Sequence, residues 1–150
     1  FNNSEILNYE KSKNIAMVGN NSSRRWYIYY KIRFNNIQIN NIIGWGFKRD
    51  SKLFKYKILV NIHYDNKFHI MEQIRINRCI FNKIIVITED SIYSNKLLLK
   101  KYMIICTYDN IMNMVMEVLK NYEQYYSQLF NDMNIQKLDK IFKKDFKIFT

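Results

Sequence analysis

The chain reads as an α/β domain, a Rossmann-like three-layer arrangement with a parallel sheet of about five strands and helices on both faces. Three observations predict it. Short runs rich in Ile and Val, such as KILVNIH and KIIVIT, recur at strand length, and such runs mark strands covered on both faces. Segments of helical periodicity separate them, so strand and helix alternate five times, which is the pattern of βαβ units joined into one parallel sheet. A length of 150 residues suits one compact domain with a sizeable core.

The elements follow in chain order. Residues 1–13 are polar and weakly patterned and form a lead-in or linker. The first strand covers about 14–19 (NIAMVG) and stops at Gly19-Asn20-Asn21-Ser22-Ser23, a turn cluster that can also cap a helix. That helix runs over about 23–34, with Trp26, Tyr29, Tyr30 and Arg33 at helical spacing, and Asn35-Asn36 ends it. The second strand is 37–43 (IQINNII), followed by the loop Gly44-Trp45-Gly46 and a short helix over about 50–55 with Asp50 or Ser51 as cap.

The third strand covers about 57–63, its helix 68–82, and the fourth strand 84–88. Residues 93–101 make a basic connection, and 102–107 (YMIICT) is the fifth strand. From 110 to about 130 one long helix places Ile111, Met114, Val115, Val118, Leu119 and Tyr122 on a single face, the i, i+3, i+4, i+7 repeat. The tail, 131–150, contains a basic amphipathic helix from about 135, carrying Leu138, Ile141, Phe142 and Phe146. The Rossmann-like unit proper is 14–130.

Composition narrows the classes. With 48% hydrophobic and 16% aromatic residues, the chain is no disordered tail. No apolar run approaches the roughly 18 residues that cross a bilayer, and the N-terminus has no apolar signal core. The chain starts at Phe1 rather than Met, and we expect a fragment or a processed product. The formal charge is +11. No basic run exceeds a pair, so this charge reads first as a solvated, Lys-rich surface and only second as a nucleic-acid interface. Cys79 and Cys106 fit no metal-ligand or redox spacing. Two small thiols in apolar segments point to a reducing, cytoplasmic setting.

Chemistry gathers where the predicted strands end. In a parallel sheet these ends share one edge, where open α/β sheets bind ligands. Gly19 lets backbone approach a ligand. The helix start beyond it offers free N–H groups to an anion, and Arg24 and Arg25 add planar donors suited to phosphate. Lys outnumbers Arg three to one in the sequence, so paired arginines here stand out, although a tight turn with solvated charge is the simpler alternative. The glycine spacing of a P-loop or a dinucleotide fingerprint is missing. Glu72 lies in the first turn of its helix, where a carboxylate suits the dipole and can also accept bonds from sugar hydroxyls. Arg75, three residues on, can pair with it. His63 ends a buried strand, a position that fits either a hydrogen-bonded structural histidine or a site residue. No HxxxH or carboxylate cluster indicates a metal, and nothing calls for a cofactor.

The stretch ILVNIHYDNKFHIMEQIRINRCIFNKIIVITEDS resembles the nucleotide-sugar-binding half of glycosyltransferases built from two Rossmann-like domains, the GT-B fold, of the group-1 type. IAMVGNNSSRRWYIYYKI is similar to that group's first strand and helix, and the loop Gly44 to Asp50 stands where the group has a glycine-containing loop ending in Arg-Asp. The resemblance covers about residues 14–129. It implies a metal-independent sugar transferase with a nucleotide-sugar donor and an upstream acceptor-binding domain as partner. Glu72 then matches the glutamate that contacts the donor's sugar or ribose. Gly19, Asn20, Arg24 and Arg25 match the diphosphate loop, and Glu89 and Ser91 match the donor-lining segment after the fourth strand. His63 and Arg75 complete the candidate binding set; the resemblance assigns no catalytic residue.

The chain departs from the group in two places. Asn82-Lys83 replaces a glycine before the fourth strand, and Asn tolerates a left-handed turn. The group's two glutamates, seven residues apart, are not both present; only Asp65 precedes Glu72. The amphipathic tail is expected to cross back toward the acceptor domain and to pack Phe142 and Phe146 there. Two other classes compete: a non-catalytic Rossmann-like binding module, and a basic nucleic-acid-binding domain.

Overall fold

The computed structural model describes residues 10–44, 46–67 and 71–146, the last two by backbone alone. Five strands form one sheet: β1 (Lys13–Val18), β2 (Ile39–Ile42), β3 (Tyr56–Asn61), β4 (Ile85–Glu89) and β5 (Ile104–Cys106). Their order is β2-β1-β3-β4-β5, and every neighbouring pair is parallel. The predicted sheet is therefore the observed one. Among the described residues six α-helices accompany it: α1 (Ser23–Phe34), α2 (Gly46–Leu53), α3 (Gln73–Phe81), α4 (Ile111–Lys120), α5 (Tyr122–Leu129) and α6 (Asp132–Ile141).

The strand order explains where a ligand can sit. From β1 the chain steps outward to β2, then crosses back past β1 to β3 and continues the other way. With right-handed crossovers, that reversal sends helices to opposite faces and opens a crevice between the C-terminal ends of β1 and β3. α1 packs with α4, while α2 and α3 are joined by an Asp50–Arg78 ion pair. The central strands are apolar throughout because both faces are covered: Ile58, Leu59, Val60, Ile85, Val86 and Ile87 are fully buried. Each such side chain contributes about 1.5–3 kcal/mol relative to an exposed one. β2 lies at the edge and reads INNI, with Asn40 exposed between buried Ile39 and Ile42.

Several boundaries differ from the sequence expectation, each for a local reason. α2 begins at Gly46, so Asp50 lies inside the helix, 2% exposed and ion-paired, rather than capping it. The expected long helix breaks at Asn121, whose backbone (φ −117°, ψ 35°) leaves the helical region while its side chain bonds the Glu117 carboxylate; Asn competes for such local bonds and is a poor interior helix former. β5 is shorter than expected because Tyr102 belongs to a preceding 3₁₀ turn, where it is fully buried. The left-handed residue before β4 is Lys83 (φ 55°), not Asn82. α6 starts at Asp132, capped by Asn131, and runs into a π turn over Phe142–Phe146. Phe142 packs edge-on against Phe81 of α3, with centroids 5.1 Å apart. That ring thus contacts this domain; the Phe146 side chain, like Trp45, residues 68–70 and most of the lead-in, lies outside the described residues. Among the described residues no helix is long and apolar enough to cross a membrane.

Candidate functional site

Arg25 sits at the centre of the β1/β3 crevice. α1 begins at the N-cap Ser22, whose hydroxyl accepts the Arg25 amide. This first turn points the Arg25 side chain inward, where it is 6% exposed. Its Nε donates to the Ile62 carbonyl at 2.9 Å, Nη1 to the Asn20 carbonyl at 2.9 Å and Nη2 to Glu72 Oε1 at 3.3 Å. One guanidinium thereby ties the loop after β1, the loop after β3 and the start of α3. Gly19 makes this possible. Its φ of 130° belongs to glycine, and a Cβ there would overlap the Arg25 guanidinium.

Glu72 is held from a second side. It is the N-cap residue of α3 rather than a first-turn residue, and its carboxylate makes no capping bond. It accepts instead from Arg25 and from Nη1 of Arg75. Arg75 is itself fixed: Nη2 donates to Asn61 Oδ1 at 2.7 Å, and Asn61 Nδ2 donates to Thr88 Oγ1 at 3.0 Å. Burial pushes the Arg75 guanidinium below its ordinary pKa, and the neighbouring Glu72 carboxylate opposes that shift. Its Nε is buried without a hydrogen-bond partner among the described residues. The Glu72 side chain remains 49% exposed, so a carboxylate locked in orientation still faces outward.

Arg24 turns the other way along the edge. Its Nη2 bonds Glu89 Oε1 at 2.5 Å and its guanidinium lies 4.1 Å from the Tyr108 ring centroid. The Tyr108 hydroxyl donates to the Arg24 carbonyl at 3.0 Å. Nη1 of Arg24 is buried and without a hydrogen-bond partner among the described residues. Glu89, 4% exposed, also accepts the His63 backbone N–H at 3.1 Å. The His63 ring Nε2 donates to the Asp90 carbonyl at 2.8 Å, since a carbonyl can only accept. Both bonds tie the ends of β3 and β4, the hydrogen-bonded structural setting weighed for this histidine. Asp65 accepts the Lys67 amide in its own loop.

Beside Glu72 the surface opens into a cleft of about 730 Å³, lined among others by Gly46, Glu72, Arg75, Arg78, Ser91 and Tyr93. At its base Asp50 is gripped by Arg49, at 2.8 and 2.7 Å, and by Arg78. Five of the six arginines of the chain therefore gather on this edge, where Asp50, Glu72 and Glu89 pair with them and Asp65 and Asp90 stand in the adjoining loops.

All nine candidate residues meet on one sheet edge, with Ser91 set on the far side of the cleft. Sequence reasoning picked out Thr88 at the end of the fourth strand but missed Asn61, Tyr108 and Arg78. A signal existed for Asn61, since it too is a polar residue at the end of an apolar run. Nothing local announced Tyr108, which is brought beneath Arg24 across 84 residues of sequence. Among the described residues no cluster of His, Cys, Asp and Glu forms a metal site.

Comparison with known proteins agrees with this architecture. No protein-family model matches the chain. It is 34% identical over 118 residues to uncharacterized protein L138 of Acanthamoeba polyphaga mimivirus, covering 76% of this chain and 13% of that protein. Two further uncharacterized proteins of the same virus are 33% and 30% identical over 74% and 87% of this chain, which covers 38% and 48% of them. The chain thus spans less than half the length of these curated relatives. Among solved structures it is similar to an alpha1,3-fucosyltransferase, with a TM-score of 0.56 and 15% identity over 91% of this chain and 47% of that one. That likeness establishes the fold, a Rossmann-like α/β domain of a kind found in a glycosyltransferase.

Proposed function

We propose that the chain is the nucleotide-sugar-binding domain of a glycosyltransferase. The observation that carries this reading is Glu72. Its carboxylate is oriented by Arg25 and Arg75 yet half exposed, at the crevice where the strand order reverses. In this reading Glu72 accepts hydrogen bonds from the donor's sugar or ribose hydroxyls. Arg24, whose buried Nη1 has no hydrogen-bond partner among the described residues, and the backbone after Gly19 meet the diphosphate. In this reading Arg24 and the start of α1 hold the diphosphate in place of a protein-bound metal. Arg25 acts as a positioning residue, because three protein acceptors already hold it. His63 and Glu89 brace the loops, and Ser91 and Tyr93 line the cleft that receives the sugar or the base.

Residues 14–130 form the donor domain in this scheme, with 1–13 leading in and 131–150 as the tail helix. An acceptor-binding domain lies upstream in the full protein, a reading supported by the greater length of the relatives. The two free thiols fit work in the cytoplasm. The test is a titration with UDP-, GDP- and ADP-sugars, followed by NMR. Shifts centred on Gly19–Arg25 and Glu72 are expected for at least one of them. If millimolar concentrations of all three classes leave these resonances unmoved, the proposal fails.

A further inference from the structure

A second cleft, of about 790 Å³, runs along the free edge of the sheet between α1 and β2. It extends from Asn36, just before β2, to Ile43 beyond it, and one end reaches Asn21 in the loop after β1. Its walls differ in kind from those of the Glu72 cleft. Five carboxamides line it, Asn21, Asn36, Gln38, Asn40 and Asn41, and no carboxylate does. The single charge is Arg33, one of whose Nη atoms already donates to the Tyr29 hydroxyl at 3.2 Å.

Opposite these amides stands an aromatic wall. Trp26 stacks on Tyr30 with centroids 5.3 Å apart and meets Tyr29 edge-on at 4.9 Å, while Tyr29 and Tyr30 pack edge-on at 5.5 Å. The three rings fix one another, so little side-chain freedom is left to lose on binding. Arg25, Ile28 and Ile32 are the buried residues of α1; Tyr29 packs partly against the core, Trp26 is half-buried and Tyr30 is exposed. The helical spacing of Trp26, Tyr29 and Tyr30 thus carries an aromatic cluster from the edge of the core out to the surface of this cleft.

We propose that this cleft is a binding site for an uncharged glycan. Aromatic rings carry a negative face that attracts the C–H side of a pyranose. Carboxamides offer a donor and an acceptor together, matching vicinal hydroxyls that are both. A polyanion finds one partly engaged guanidinium here, although the chain as a whole carries +11. Asn21 adjoins Asn20, whose carbonyl is held by Arg25, so a glycan in this cleft lies next to the proposed donor crevice. The site stands on its own observations and does not depend on the nucleotide-sugar reading.

The experiment is an NMR titration of the chain with lactose, cellobiose and diacetylchitobiose, alongside a heparin tetrasaccharide and an extended neutral peptide. A neutral saccharide is expected to shift the Trp26 indole and the amides of Asn21 and Gln38–Asn41. Trp26→Ala is expected to weaken that binding at least about tenfold. Gln38→Ala with Asn40→Ala, both at exposed positions, is expected to weaken it in a chain whose aromatic wall is intact. UDP-sugar shifts at Glu72 stay unchanged in these variants, which separates this proposal from the previous one. The inference is overturned if no neutral saccharide shifts these residues, or if binding survives both sets of substitutions. It is likewise overturned if only heparin binds, or if only the peptide does, by adding a strand to β2.

Discussion

The β2 cleft ends at Asn21, next to the Asn20 that Arg25 ties to Glu72 of the other cleft, yet the two clefts are built from opposite materials. The Glu72 cleft is assembled from charges that originate far apart in sequence and lie at the ends of the central strands. Most of them are buried and already paired, so the protein's own ion pairs define the geometry that a ligand meets. The β2 cleft is local, made from one helix and the neighbouring edge strand, and apart from Arg33 its polar groups are neutral and largely exposed. A central position allows charge because neighbouring loops on every side supply partners. An edge position has fewer partners to offer, and amides and aromatic rings survive there without them. The difference teaches that Arg25 and Asp50 serve stability as much as recognition, whereas Trp26, half-buried at the edge, is expected to matter less to the fold.

Substitutions test this division, the largest effect first. Asp50→Ala removes the carboxylate, itself 2% exposed, that pairs with both Arg49 and Arg78, and is expected to cost about 3–5 kcal/mol in urea unfolding. An unchanged unfolding midpoint would show that the charged region is no more structural than the edge. Gly19→Ala is expected to cost about 2–3 kcal/mol, because a left-handed backbone and the Arg25 guanidinium both oppose a Cβ. Trp26→Ala in the same assay should stay well below either, consistent with a half-buried ring at the edge.

Glu72→Gln sharpens the contrast from the other side. The half-exposed carboxylate carries little stability, so a change under about 1 kcal/mol is expected. Nucleotide-sugar affinity, measured by calorimetry, is expected to fall about tenfold with the loss of a charged acceptor. The smallest effect concerns the thiols. Burial pushes Cys79 up to about 12 and Cys106 up to about 11. A raised pKa leaves little thiolate at neutral pH, so both should alkylate slowly. Cys106, only partly buried, should react faster than Cys79 on the buried face of α3; equal rates would mean that α3 opens as readily as the β5 edge.

Much of this was legible in the residues. The apolar runs around Ile58 and Ile85 located the central strands, because full burial on both faces leaves no polar position to confuse the pattern. α1 was placed to the residue, because Ser22 and Asn35 bracket it with strong end signals. The edge elements were placed less well. β2 and β5 are half-buried, so tertiary contact rather than pattern sets their ends, and the α4–α5 break at Asn121 is a single-residue event within a continuous apolar stripe. In the site, Gly19, Arg25 and Glu72 were identifiable from spacing and type, but their mutual bonds were not.

The sequence by itself determined the class of fold and the edge on which chemistry gathers, since periodicity and residue type are local properties. Only the tertiary structure decided what each charge does. Arg24 and Arg25 are adjacent in the chain and identical in kind, yet one is spent on three loops and the other keeps a donor beside Tyr108. The reason is geometric. Successive residues at a helix start point about 100° apart, so neighbours in sequence face different loops, and those loops are placed by the strand order rather than by anything near the arginines.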